Sequence, residues 1–146
     1  MFLDASAIVA ILARDPDRQE ILDRLDRHRD GGFFVSPLVR YEAVQALARQ
    51  KTAKSGSRDE MKKPSREDIE RAEKVFDTFI RGLQVEETAI SPAMGTIALE
   101  ASARYGKAVG HPADLNFGDC FAYACARVLG VPLAYKGNDF SLTDLA

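Results

Sequence analysis

The chain has 146 residues, 46% of them hydrophobic and 29% charged, with a formal net charge of −2. That length suits one domain, residues 1–146, able to bury a core without disulfides or a structural metal. The mild acidity excludes a protein that holds polyanions by overall charge, so any nucleic-acid contact has to come from local basic patches.

No apolar run approaches the ~18 residues that a membrane span needs. The N-terminus also lacks a basic stretch leading into an apolar core and a cleavage site. A cytoplasmic protein without membrane contact is expected. Cys120 and Cys125 share one short apolar segment, which reads as two buried thiols in a reducing compartment rather than a bridge.

Residues 1–4 read as a very short buried strand ending in an acid, Asp4. Residues 6–13 are apolar and Ala-rich, a helix packed on both sides. Asp15-Pro16 opens a second helix by the cap-then-proline signal, with Ile21, Leu22 and Leu25 at helical spacing, and Gly31-Gly32 ends it. Phe33-Phe34-Val35 is a second strand. Ser36-Pro37 repeats the cap signal for a third helix reaching about Gln50.

Residues 51–64 hold Gly56, Pro64 and many charges, and read as a loop or a frayed helix extension. Ser65 and Asp68 resemble a capping box with Asp in place of Glu, and from Ile69 to Leu83 an apolar stripe recurs at helical spacing. A third strand is expected near residues 84–87, a helix from Ser91-Pro92 to about Tyr105, and a loop over 106–112. Residues 117–129 form a nearly all-apolar helix and 131–135 a fourth strand; Gly137-Asn138-Asp139-Phe140 turns into a last short strand. Short apolar strands alternating with helices predict an α/β domain with a parallel sheet covered on both faces. Ligands gather beyond the carboxyl ends of such strands.

Four acids stand out against that plan. Asp4 follows the first strand, where it is either a helix N-cap or a site residue. Glu42 shares the inward stripe of its helix; an inward carboxylate needs a partner, either an arginine such as Arg40 or Arg49, or a functional ion. Asp119 is the one charge in the run 117–126. A helix that is apolar all round is buried all round, so Asp119 is expected to enter the core with it. The macrodipole at that helix start contributes at most ~2 kcal/mol, less than a carboxylate loses on desolvation, and a divalent cation would make up the difference. Asp139 follows the fourth strand in a Gly-Asn-Asp turn, a common turn former.

Clustered like charges either protonate or share a cation. An all-oxygen set suits Mg²⁺ or Mn²⁺. Zinc is disfavoured, since His28 and His111 are far apart with no ligand-spaced partner, and both read as ordinary surface residues. No glycine loop with Lys-Ser or Lys-Thr cradles a phosphate.

The stretches Leu3-Asp4-Ala5-Ser6, Tyr41-Glu42, Leu115-Asn116-Phe117-Gly118-Asp119-Cys120 and Gly137-Asn138-Asp139-Phe140 together resemble PIN-domain proteins, most closely the VapC-type toxins of VapBC toxin–antitoxin pairs. The resemblance implies a three-layer α/β/α fold with a mainly parallel sheet of about five strands. It also implies a metal-dependent endoribonuclease in which Asp4 and Asp119 hold Mg²⁺, Glu42 and Asp139 complete the shell, and Ser6 supports Asp4. Asn138 stands where many relatives carry another polar or acidic residue; Asp114 reads as surface. The implied partners are RNA, a VapB-type antitoxin whose C-terminal segment occupies the crevice, and a second copy in a homodimer.

From Arg49 to Arg66 seven basic residues face two acids. They are a solvated loop or, through Lys51, Lys54, Arg58, Lys62 and Lys63, an RNA clamp. Two other classes remain open: a non-catalytic protein that blocks translation by occupancy, and a phosphoacceptor receiver with Lys136 after its late strand. A receiver, however, needs an acidic pair where this first strand offers only Asp4.

Overall fold

In the computed structural model the described residues are 1–55 and 63–145, with side chains for the first range up to residue 50. The strands are β1 (Phe2–Leu3), β2 (Phe34–Val35), β3 (Glu86–Glu87) and β4 (Leu133–Ala134). The helices are α1 (Ala5–Leu12), α2 (Arg18–Arg27), α3 (Pro37–Ser55), α4 (Arg66–Gly82), α5 (Pro92–Tyr105) and α6 (Phe117–Leu129), with 3₁₀ turns at Arg29–Gly31, Lys107–Val109 and Asp139–Leu142.

The strands are two residues each, and β1, β2 and β4 supply residues that the sheet buries on both faces. Phe2, Leu3, Val35, Leu133 and Ala134 are all buried, which is the continuous apolar reading of a covered parallel sheet. All pairings are parallel in the order β3-β2-β1-β4, with Phe2 opposite both Phe34 and Leu133. The edge strand β3 carries two exposed glutamates, and charge on an edge discourages pairing with another chain. Helix α6 lies against β1 and β4, α2 against β4, and α1 packs on α3. This agrees with the α/β/α layering expected from the sequence.

Helix starts follow their caps. Ser36 Oγ accepts the Val39 N–H, Ser65 and Asp68 form the reciprocal box, and Ser91 Oγ accepts the Met94 N–H. Gly130, in the left-handed region at φ 64°, ends α6. Arg40 ties three elements together, pairing with Asp77 of α4 at 2.6 Å and Glu87 of β3 at 2.9 Å while lying over the Phe76 ring.

Three local expectations differ. The second helix begins at Arg18 rather than at Asp15-Pro16, because the Asp15 carboxylate accepts the Asp17 N–H and closes an Asx turn instead of a helical cap. Four strands pair among the described residues rather than about five. The expected last strand is the 3₁₀ turn Asp139–Leu142, whose backbone bonds locally, as in Ser141 N–H to the Asn138 carbonyl. Finally, α6 is not buried all round: Phe117 is 68% exposed, because the apolar surface of this helix extends past the core. Cys120 and Cys125 are free and buried, as expected.

Phe2 fills the middle of the central strand and is fully buried. Phe2→Ala is expected to cost ~3–5 kcal/mol, read as a lower urea midpoint at unchanged m-value. An unshifted midpoint would remove Phe2 from the core.

Candidate active site

Asp4 leaves β1 in extended conformation and caps α1, as the capping reading of this residue expected. Its side chain is only 4% exposed. Oδ2 accepts the Ser6 N–H at 2.9 Å and also the Ser6 hydroxyl. The Ser6 Oγ in turn accepts the backbone N–H of Lys136 at 3.0 Å. Because the Asp4 N–H donates to the Ala134 carbonyl, the acid is fixed from both sides by the β1–β4 pairing. Lys136 also holds Asp15 through its ammonium group, which pins the segment leading to Asp139 onto the α1–α2 loop.

Asp119 sits in the first turn of α6 as one half of a capping box. Its Oδ2 accepts the Asn116 N–H at 2.8 Å, and Asn116 Oδ1 accepts the Asp119 N–H at 3.1 Å. It is half-buried rather than sunk in the core.

Glu42, half-buried on α3, reaches across to the same turn. A Cβ built on Gly118 would lie 2.1 Å from Glu42 Oε1 and 2.6 Å from its carboxyl carbon, so only glycine leaves room for this carboxyl against α6. Arg40, one of the two arginines that the sequence offers Glu42, is committed to Asp77 and Glu87.

The acids feel one another. Burial pushes the Glu42 carboxyl up to about 7, with the charges of Asp4 and Asp119 adding to it. Burial pushes Asp119 up to about 6 against the opposing Asn116 bond, with Asp4 and Asp139 adding. Asp4 is raised by burial, opposed by its Ser6 bonds and helped by Asp139. Among the described residues no ion pair reaches Asp4, Glu42, Asp119 or Asp139.

Asp4, Ser6, Glu42 and Asp119 line one cavity of about 480 Å³. Asp139, exposed in the turn after Gly137 (φ 93°), acts on it through its field. A larger cavity of about 690 Å³ between α5 and α6 is lined by Leu99, Phe117 and Phe121 and by no acid, so the acids gather at the smaller one. Among the described residues no three acids, histidines or cysteines stand close enough to chelate an ion in this arrangement.

Of the basic residues read as an RNA clamp, Lys51 and Lys54 lie on the last turns of α3. Arg58 and Lys62 fall outside the described residues, and Lys63 is exposed. Asp114 is on the surface, paired with Lys107 at 3.6 Å. His28 is exposed; His111 is not an ordinary surface residue, since its ring accepts the Ala113 N–H and sits edge-on to Tyr105.

Sequence reasoning missed the roles of Asn116, Gly118 and Lys136. The Asn-x-x-Asp spacing was a visible capping signal for the first. Nothing local marks Gly118 as the seat of a carboxyl from α3, or Lys136 as a support for a residue 130 positions away.

The chain matches the family model of the PIN domain over residues 1–145. It is 51% identical to a VapC ribonuclease of Rhizobium meliloti over 99% of this chain and 98% of that protein. It is 32% identical to ribonuclease VapC42 of Mycobacterium tuberculosis, over 99% and 96%. The crystal structure of VapC20 from Mycobacterium tuberculosis, a toxin that cleaves the Sarcin-Ricin loop, superposes with a TM-score of 0.65 at 19% identity, covering 96% of this chain and 92% of that one.

Glu42 and Asp119 titrate above their ordinary values of 4.5 and 3.8, so the native state keeps protons that the unfolded chain releases. Their contribution to stability is therefore lost as pH rises from about 4 to about 7. The metal-free protein is expected to melt lower at pH 8 than at pH 5, and Glu42→Gln to flatten that slope. An unaltered slope would count against a shared field. Gly118→Ala is expected to keep the fold, since the clash is with the end of a flexible side chain, and to return the Glu42 carboxyl toward its solvent value in a carbon NMR titration.

Proposed function

The chain belongs to the PIN domain family, and on that premise we propose that it is a divalent-metal-dependent endoribonuclease acting as the toxin of a VapBC-type toxin–antitoxin pair. The observation that carries this reading is the group of mutually repelling, partly buried carboxylates that no described basic side chain neutralises. Its relatives at 51% and 32% identity are named as ribonucleases.

The donor set fits a hard cation: all its members are carboxylate oxygens, with no histidine or thiol among them. Asp4 and Asp119 would hold Mg²⁺, or Mn²⁺ in its place, with Glu42 and Asp139 completing the shell. When bound, the ion supplies charge neutralisation and Lewis acidity toward a phosphodiester. The protein's own groups prepare the site. Ser6 holds the Asp4 carboxylate by two hydrogen bonds to one oxygen, and the Lys136 N–H fixes Ser6 in turn; such supports set the orientation of a ligand. The Asn116 N–H does the same for Asp119. Glu42, held near 7, keeps a proton for much of the neutral range, so its carboxylate would become available to a cation as pH rises.

RNA approaches an acidic crevice more readily where cations attract it, and Lys51, Lys54, Arg58, Lys62 and Lys63 are the basic residues the sequence offers for that role. The same reading brings a VapB-type antitoxin whose C-terminal segment occupies the crevice, a homodimer, and action in the cytoplasm. No helix among the described residues is long and apolar enough to cross a membrane.

Asp119→Asn and Asp4→Asn are each expected to lower RNA cleavage on the order of a thousandfold with an unchanged far-UV spectrum, and chelation of divalent ions to abolish cleavage in the native chain. Cleavage that survives both treatments would overturn the metal-dependent assignment, whereas growth arrest that survives the loss of cleavage would leave a protein that acts by occupancy.

A further inference from the structure

The crevice continues past the acids. Ala5 and Val9 stand one turn apart on α1, and Glu42 and Ala46 one turn apart on α3; all four line the same cavity of about 480 Å³. That volume falls within the range of small-ligand pockets. The helices pack on each other, and each turn carries the lining about 5.4 Å further along the helix. Val9 and Ala46 therefore extend the floor away from Asp4 and Glu42 with small apolar side chains. Along one rim, Tyr41, Gln45 and Arg49 recur at i, i+4 and i+8 of α3 and line the cavity with them. Tyr41 is 64% exposed.

In chain order the wall thus offers an aromatic ring, an amide and a guanidinium beside a floor on which a flat apolar face can lie. A purely metal-binding crevice has no use for this sequence of groups. An unpaired nucleotide uses all of them. Its base has two π-faces for the floor and the ring, its edge presents donors and acceptors that match an amide, and its phosphate suits the guanidinium.

Resting on the ribonuclease reading, we propose that the groove between α1 and α3 is a nucleotide subsite beside the scissile phosphate of a single-stranded RNA. The base lies over Val9 and Ala46, Gln45 reads its edge, Tyr41 stacks on the adjoining base, and Arg49 meets a phosphate two turns along α3. A base held in a duplex cannot reach the floor, so the subsite selects unpaired segments.

The test compares Ala46→Phe, which fills the floor, and Gln45→Ala, which removes the reading group, with the native chain on single-stranded oligonucleotides carrying each of the four bases beside the cleaved bond. Ala46→Phe is expected to raise KM roughly tenfold while Mn²⁺ affinity, measured by direct titration, stays unchanged. Gln45→Ala is expected to level the preference among the four bases. Tyr41→Phe should retain the native KM, and Tyr41→Ala should not.

Unchanged KM and unchanged base preference in both Ala46→Phe and Gln45→Ala would overturn the subsite, as would a loss of Mn²⁺ affinity that accounts for the whole effect. If Ala46→Phe fails to fold, Gln45→Ala, altered at a half-buried side chain, decides by itself. If the native chain cleaves no RNA, the ribonuclease reading fails separately. Fluorescence anisotropy with a labelled single-stranded oligonucleotide then judges the groove: weaker binding by the variants supports it, and equal binding overturns it.

Discussion

Like charge brought together under partial burial is the constraint around which this molecule is arranged. A carboxylate moved from water into a protein loses several kcal/mol of hydration, and each further acid in the same crevice adds repulsion. Here Asp4, Glu42 and Asp119 all titrate above their ordinary values for both reasons, and two basic residues near them are engaged elsewhere. Arg40 serves Asp77 and Glu87, and Lys136 serves Asp15. On the proposed reading a divalent cation would relieve that repulsion, which couples the fold to the chemistry.

The parallel sheet determines where the repulsion is placed. Because β1 and β4 are neighbours and run the same way, their carboxyl ends deliver Asp4 and the Lys136–Asp139 segment to one edge. The Ser6 hydroxyl then joins the two strands by accepting from Lys136 while donating to Asp4. Helices bring the other two acids: α6 through a capping box that also aims Asp119, and α3 through the gap left by Gly118. Asp4 and Asp119, the acids proposed for catalysis, also serve as capping groups, so they meet part of their hydrogen-bonding need from helix N-termini.

Charge is distributed to match. The chain as a whole is nearly neutral, yet the stretch from Arg49 to Arg66 holds seven basic residues against two acids, and α3 itself carries Glu42 into the acidic crevice and Arg49 along its rim. On the proposed reading, basic side chains would draw a polyanion and the acidic crevice would grip it only with a cation. Binding would then depend on salt and cleavage on metal.

The sequence by itself determined the α/β class, nearly every helix and the identity of the four acids. Those properties are written locally: Ser-Pro caps, apolar runs of strand length, and a charge standing alone in an apolar helix. It misjudged places where a local signal has two outcomes. Asp15-Pro16 closes an Asx turn instead of opening a helix, residues 139–142 coil instead of pairing, and the uniform apolarity of α6 concealed that Phe117 faces solvent. Only the tertiary structure decided that Glu42 rests on Gly118, that Lys136 steadies Ser6 from the far end of the chain, and that small residues of α1 and α3 extend the acidic crevice into a groove. Each of these is a contact between segments distant in sequence, and its geometry comes from packing two elements at a given distance and angle, which no single segment encodes.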